Sequence, residues 1–431
     1  MKILHTSDWH LGRMFGAVHL DDDQRAFLEW LVQFVAEQKV ELVVIAGDIY
    51  DRAVPRPESI PLFRNALNGM RAAGAQVVAI TGNHDGADRV ASYGELLDLS
   101  GIYIRGGYAA MGEVIRLNFA DGPLDVVPLP YLDPQLAPGE MPADEIATTV
   151  PAIVSAPAAP TDNDVAANVP RAGSLPAATT STEAAYQRRL RRTHASVLEA
   201  AIGAAKPNLN APRSLAIAHA FVGGATTTDS ERTLSIGGTD QVPADIFDGF
   251  SYTALGHLHR PQYVGGRSSL RYSGTPLAYS FSENHEKSIT VLEIAPDGTL
   301  ASIEQVTVPV GRSVLTVTGR IDDLVATTPT DKQRASFVRA VITDSTAVLD
   351  AKLRLSSLYP HVVEIEMKPQ AEDGTPVVAA GSPTGRGQLR PEQLVEMFWE
   401  DSVKQSPKDA ERELLHAALT AAARSTATKE A

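Results

Sequence analysis

The sequence predicts an α/β protein: a layered domain of strands and helices, then a small α+β domain, then a helical C-terminal tail. Three observations predict it. Short apolar runs alternate with helix-period segments through the first third of the chain, as in βαβα units. The pattern changes after Lys287 to that of a hairpin with an Asp297-Gly298 turn. Beyond a Gly/Pro-rich stretch, helical periodicity returns at the C-terminus.

The elements follow in order. Ile3-Leu4 opens a short strand, and Leu42–Ala46 and Gln76–Thr81 are two more. Helical segments lie between them over Asp21–Glu37 and Pro57–Ala73, the second stopped by Gly74. Over 136–182 the composition shifts to Ala, Pro, Thr and Asp with no period, which predicts a flexible insertion. A helix over Glu183–Ala205 and strands at Leu215–Ala218 and Tyr252–Leu255 complete a first domain spanning 1–284. A second domain, 285–369, holds the hairpin and strands at Ser313–Thr318, Phe337–Ile342 and Val362–Met367 beside a helix over Ala347–Leu358. A linker over 370–390 leads to the tail, 391–424. There is no internal repeat.

Composition bounds the function. With 44% hydrophobic and 21% charged residues the chain can bury a large core. No apolar run reaches the ~18 residues that span a bilayer. His5 and Asp8 come too early for a secretion signal, so a cytoplasmic location is expected. The absence of cysteine excludes disulfides, thiolate zinc sites and thiol nucleophiles, so any metal must be held by oxygen and imidazole nitrogen. A net charge of -14 argues mildly against binding duplex DNA through this surface alone.

The chemistry is concentrated at strand ends. Five apolar strands each lead into a metal-ligand residue type: Asp8-Trp9-His10, Gly47-Asp48, Gly82-Asn83-His84-Asp85, His219, and Gly256-His257-Leu258-His259. In α/β sheets ligands gather outside the carboxyl ends of the strands, so these stretches are expected to meet at one edge. Taken singly, each has an ordinary explanation as turn chemistry or a core histidine. Jointly they do not, since five of the 11 histidines fall in them. Alternate residues in Asp8-Trp9-His10 and His257-Leu258-His259 point to one side, and the lone Asp48 has two oxygens with which to bridge. Carboxylate, imidazole and amide donors without sulfur suit Mn, Mg, Fe or Zn. Two such ions ~3.5–4 Å apart clamp the attacking and leaving oxygens of a displacement at phosphorus. Two divalent ions against the two charges of Asp8 and Asp48 leave the site about doubly positive. Repulsion from the acidic chain is screened within ~10 Å.

These five blocks, DxH, GDxxD (Gly47 to Asp51), GNHD, a strand-end His and GHxH, resemble the calcineurin-like metallophosphoesterase superfamily. Within it the sequence is similar to the SbcD family, nuclease subunits of the bacterial SbcCD complex. The shared features are the MKILHTSDWHLG start, and Tyr272-Ser273-Gly274-Thr275-Pro276 and Ser280-Phe281-Ser282-Glu283 after the GHLHRPQ block. The resemblance covers Met1 to about Leu132 and Arg188 to Met367, and the tail only in kind. It implies a four-layer α/β/β/α sandwich with a capping domain, and two Mn2+ ions. Asp8, His10, Asp48 and His259 would hold one ion; Asp48, Asn83, His219 and His257 the other. His84 would stand beside the leaving oxygen, with Asp85 orienting its ring. Archaeal and eukaryotic relatives carry a histidine where this chain has Asp51, which leaves the role of that position unassigned. The resemblance implies double-strand 3′ to 5′ exonuclease and hairpin endonuclease activity, an SbcC-type coiled-coil ATPase as partner, and a self-dimer in a heterotetramer.

Other features have weaker pointers. Arg13, Arg52, Arg89 and Arg260 flank the ligand blocks and are candidate phosphate contacts, whereas Arg188-Arg189-Leu190-Arg191-Arg192 reads as a solvated helix face. In the tail, Leu394, Val395, Phe398 and Trp399 form an apolar patch suited to a partner surface. The enzymatic alternative is a stand-alone phosphatase or cyclic-nucleotide phosphodiesterase: GDIYDRA approaches the GDxxDRG pattern of protein phosphatases but has Ala53 for Gly. A partner-binding scaffold without activity is disfavoured by the completeness of the ligand set.

Overall fold

The computed structural model describes residues 1–138, 192–231, 241–346 and 348–370, with isolated positions between 395 and 415. Most of the expected insertion, Arg188 to Arg191, the linker, Leu394, Phe398 and most of the tail lie outside the described residues.

The chain opens with β1 (Lys2–Thr6), a small ribbon of β2 (Met14–Phe15) and β3 (Val18–His19), and α1 (Asp21–Gln38). Then come β4 (Leu42–Ala46), α2 (Ser59–Ala72), β5 (Gln76–Ile80), α3 (Ala87–Val90), α4 (Gly94–Asp98) and β6 (Ile102–Arg105). β7 (Ile115–Phe119), β8 (Gly122–Leu129), α5 (His194–Ala205), β9 (Arg213–His219), β10 (Tyr252–Gly256), β11 (Gln262–Val264) and β12 (Arg267–Tyr272) follow. β13 (Ser288–Ile294) and β14 (Leu300–Thr307) precede a last group: β15 (Val314–Gly319), α6 (Ile321–Ala326), α7 (Asp331–Ala335), β16 (Phe337–Ile342), α8 (Ala351–Ser356) and β17 (Val362–Met367).

Two six-stranded mixed sheets result, ordered β14-β13-β1-β4-β5-β6 and β11-β12-β10-β9-β8-β7. β1, β4, β5 and β6 are parallel, as are β8, β9, β10 and β12. The central strands β4, β9 and β10 are buried on both faces, as parallel strands require. One apolar cluster packs the first sheet against Phe27, Leu31 and Val35 of α1 and Leu62, Ala66 and Met70 of α2. A second packs the other sheet against Val197, Leu198 and Ala201 of α5, and a third is shared by both sheets. Helix ends follow local chemistry. Three aspartates begin α1, where the dipole favours them, and Lys39 ends it in the left-handed conformation. Thr193 and Ser196 form a capping box on α5.

The hairpin over 288–307 differs from expectation. β13 pairs antiparallel with β1 and extends the first sheet instead of opening a separate domain. Its inward residues Ile289, Leu292 and Ile294 complete apolar clusters of that sheet. The helix expected over Ala347–Leu358 is shorter, Ala351–Ser356, beginning after Asp350 in the left-handed region. β15, β16 and β17 form a three-stranded sheet. The chain divides into two compact units, one of Met1–Thr316, Pro329–Arg339 and Leu358–Glu364, the other of Val317–Thr328, Ala340–Ser357 and the chain from Ile365. Among the described residues no helix is long and apolar enough to cross a membrane.

Candidate metal centre

The turns that follow β1, β4, β5, β9 and β10 come together. Four of the six described non-glycine residues with positive φ are Asp8, His10, Asp48 and His257. Each such residue costs on the order of 1–3 kcal/mol, a strain that collects at functional sites. The backbone is held there by Asp8 N donating to Gly47 O (3.0 Å) and His10 N donating to Asp48 O (3.0 Å). Two glycines make the approach possible. A Cβ on Gly82 would lie 2.1 Å from Asp48 Oδ1, and one on Gly256 1.8 Å from Ala46 O. Gly256→Ala is therefore expected to lower stability by about 3 kcal/mol, read as a depressed melting temperature by calorimetry.

Asp48 stands at the centre, 2% exposed. Its Oδ1 accepts from His84 N (2.9 Å), while Oδ2 faces His10 Nε2 at 3.6 Å and His219 Nε2 at 3.5 Å. Asn83 Oδ1 lies 3.0 Å from His219 Nε2 and 3.1 Å from His257 Nδ1. Asp8 accepts from His257 N (3.0 Å) and from the Ser7 hydroxyl. His259 Nε2 and His10 Nε2 face each other at 3.3 Å. The structure thus brings all seven candidate ligands, from five strand ends, into one cluster.

The cluster calls for positive charge. His219 Nδ1 donates to Ala46 O (2.8 Å), so a neutral ring presents its Nε2 lone pair to Asn83 Oδ1 and Asp48 Oδ2. Against the Asp48 carboxylate acceptor faces acceptor, which a proton or a cation relieves. At His10 one ring nitrogen, Nδ1, is buried without a hydrogen-bond partner, and Asn83 Nδ2 is likewise unpartnered. Three groups of donor atoms lie within 4.8 Å of one another: Asp8, His10 and His259; Asp8, Asp48 and His219; and His10, Asp48 and His84. Oxygen and imidazole donors in such groups fit divalent ions.

Titration behaviour agrees. Burial pushes the Asp8 carboxyl up to about 6, against the pull of His219 and His259. Burial also works to raise Asp48, but His219, His10 and His84 together hold it well below the usual carboxylate range. Burial opposes charge on His219, yet Asp48 and Asp8 outweigh it and raise the ring to about 9. Burial lowers His257 to about 3 and His10 well below its ordinary value. In the protein alone, one proton on His219 takes the place a cation would fill.

His84 is the partly exposed histidine of the set. Its ring lies 4.7 Å from that of His10, so proximity alone does not separate it from the ligands. Its Nδ1 donates to the main-chain carbonyl of Asp51 (2.9 Å), which leaves Nε2 to act. The ring is therefore held by Asp51, and not by Asp85 as expected. The Asp85 carboxylate instead ties the turns together, accepting from Ile49 N, Tyr50 N and Gly82 N at 2.8–3.0 Å. Arg13 is engaged with the Asp51 carboxylate (3.0 Å) and lies over the Tyr279 ring, whereas Arg52, Arg89 and Arg260 are exposed. Arg89 lines a cleft of about 480 Å³ beside Asn83 that Tyr108 and Tyr131 also line. Val395 and Trp399 are partly buried.

Sequence reasoning passed over several partners of His259. Ser230, Glu231, Thr275, Tyr279, Glu283 and Lys287 surround it or its neighbours. None stands at a strand end, so strand-end spacing gave no signal for them; Thr275 and Glu283 were marked only by resemblance.

Residues 1–131 match the calcineurin-like phosphoesterase family. That segment supports placing the chain in the metallophosphoesterase superfamily as a metal-dependent hydrolase. It holds Asp8, His10, Asp48 and Asn83; His219, His257 and His259 lie beyond it and join through the fold. The solved structure of GAP50, the anchor in the inner membrane complex of Plasmodium, aligns over 87% of this chain and 98% of its own at 9% identity. Its TM-score is 0.31, too low to carry any argument.

Proposed function

We propose that this protein is a two-metal phosphodiesterase acting on DNA ends, the nuclease subunit of an SbcCD-type complex. The carrying observation is the convergence on Asp48 Oδ2 of His10 and His219, with Asp8, Asn83, His257 and His259 around them. The division of ligands follows the family pattern: Asp8, His10, Asp48 and His259 for one ion, Asp48, Asn83, His219 and His257 for the other, with Mn2+ as the ion of choice. When bound, such ions supply charge that stabilises the attacking and leaving oxygens at phosphorus. The chain's own contribution is placement. Asp48 is pinned through Oδ1 so that Oδ2 is shared, and Ala46 O fixes the His219 tautomer. His84 reaches solvent with Nδ1 engaged, so its imidazolium form, protonated on both nitrogens, would give the Nε2 proton to the departing oxygen and keep the Nδ1 hydrogen on Asp51 O.

Three features support a polymeric substrate over a small monoester. A cleft lined by Tyr108, Tyr131 and Arg89 continues from Asn83, offering flat rings for stacking and a cation for phosphate. Arg52 and Arg260 are exposed near ligand blocks. The motifs resemble those of the SbcD family and the tail agrees in kind, which supports a coiled-coil ATPase as the source of basic surface and a second copy in a heterotetramer. The helix–sheet–sheet–helix packing of the apolar clusters supports the four-layer sandwich.

The test is a Mn2+-dependent cleavage assay on duplex and hairpin DNA, with and without the ATPase partner, against a chromogenic monoester. DNA cleavage stimulated by the partner is expected; hydrolysis of the monoester alone would favour a phosphatase. His84→Ala should lower the turnover number about 10²–10⁴-fold and leave Mn2+ affinity, read by calorimetry, unchanged.

A further inference from the structure

We infer that Glu283 and Lys287 form a charge pair that positions His259 for its metal ion, a conclusion resting on the metal-site reading above. Glu283 is 1% exposed. Its Oε1 lies 3.2 Å from His259 Nδ1 and also accepts the Ser230 hydroxyl, whose oxygen is 2.6 Å from the same Nδ1. Because the Ser230 hydrogen goes to Glu283, the oxygens around Nδ1 can only accept. Nδ1 therefore carries the proton, and Nε2 keeps its lone pair toward His10 and Asp8. Two further bonds fix the residue's main chain, His259 N donating to Glu231 Oε1 (2.8 Å) and Thr275 N donating to His259 O (3.1 Å). The ring can neither flip nor change tautomer without breaking this set.

Lys287 explains how Glu283 is tolerated among the carboxylates already at the site, Asp8, Asp48 and Glu231. Its ammonium donates to Glu283 Oε2 and to Thr275 Oγ1 (2.7 Å), while the Thr275 hydroxyl donates to the same Oε2 (2.8 Å). The pair is neutral as a unit. Glu283 stays a strong acceptor for the ring, yet adds no net charge to the site. Lys287 also lines a cavity of about 560 Å³ with His285, Lys332 and Arg312. Glu283 and Lys287 are thus positioning residues acting through His259. A carboxylate behind a ligating imidazole raises its basicity and fixes its direction, and loss of such a partner lowers metal affinity about 10–100-fold.

The experiment is calorimetric titration of the full-length protein with MnCl2, in wild type, Glu283→Gln, Lys287→Met and the double variant, with melting temperatures alongside. Wild type should take up two ions. Glu283→Gln should weaken one of them about 10–100-fold and leave the other unchanged. Lys287→Met, which leaves the carboxylate charged and uncompensated, should bind Mn2+ at least as tightly as wild type despite a lower melting temperature. The double variant strands no buried charge, so it carries the test if Glu283→Gln does not fold; it should match the single Gln variant. Unchanged affinities in both Glu283 variants would overturn the inference, as would equal weakening of both ions, the mark of a merely structural pair. Lys287→Met weakening one ion as Glu283→Gln does would refute the charge-cancelling role. A wild type that takes up no Mn2+ would instead fell the metal-site reading, and this inference with it.

Discussion

Asp48→Asn should abolish both turnover and two-ion binding while the fold survives. The substitution keeps the side chain's shape, and an amide oxygen can still accept from His84 N as Oδ1 does at 2.9 Å. What it removes is the negative charge shared between His10 and His219. Asp48 meets both histidines through a single oxygen, the placement a bridging carboxylate needs. A metal's charge stabilisation contributes several kcal/mol to the transition state, and each ~1.4 kcal/mol is a factor of ten in rate. A loss of at least ~10³-fold in kcat/KM follows. The check is DNA cleavage and Mn2+ titration of the purified variant beside a melting curve. A variant that keeps two ions and even a tenth of the activity would show that Asp48 does not bridge.

The strand ends were legible because two simple periodicities meet there. Runs such as Leu42–Ala46 are too short for helices and too apolar for surface, and they stop at polar residues that a buried strand could not carry. The residues at those stops, Asp8, His10, Asp48, Asn83, His219, His257 and His259, are the ones the fold draws together. Their backbone strain was not legible: nothing in the local sequence says that Asp48 (φ 48°) or His257 (φ 105°) must take conformations that favour glycine. That need comes from close packing between neighbouring strand ends, where Gly256 meets Ala46 O.

The second layer of contacts was illegible for a different reason. Glu283 touches His259 from 24 positions away, Lys287 stands behind Glu283, and both lie in a stretch without regular secondary structure. Asp85 shows the opposite error. Its neighbour His84 suggested a side-chain partnership, but the carboxylate turns back to bind three amides of adjacent turns, where burial and the nearby Asp48 push it up to about 7. The hairpin over 288–307 misled because alternating strands carry no label of the sheet they join. Only the unpaired edge of β1 decides that.

Metal binding should be strongly pH-dependent, and its direction follows from the protons the cluster holds. His219, raised from 6.5 to about 9, carries a proton at neutral pH that a divalent ion must displace. Apparent Mn2+ affinity should therefore rise about tenfold per pH unit between 7 and 9 and level off above. Below about 6 the Asp8 carboxyl takes up a second proton, and the slope should steepen. Stability of the metal-free protein runs the other way. A base whose pKa is raised on folding contributes fully below its unfolded value near 6.5 and loses that contribution as pH climbs through about 9. Asp48, depressed on folding, already contributes in full above pH 4–5 and adds no slope in this range. The metal-free melting temperature should thus fall from pH 7 to 9 through His219, while saturating Mn2+ should reverse the trend. Calorimetry in buffers of different ionisation enthalpy would count the protons released, close to one at pH 7. An affinity flat from pH 7 to 9 with no proton released would mean that His219 is neutral there. The exchange of a His219 proton for a cation would then be overturned, and the ion would enter a cluster already free of that proton.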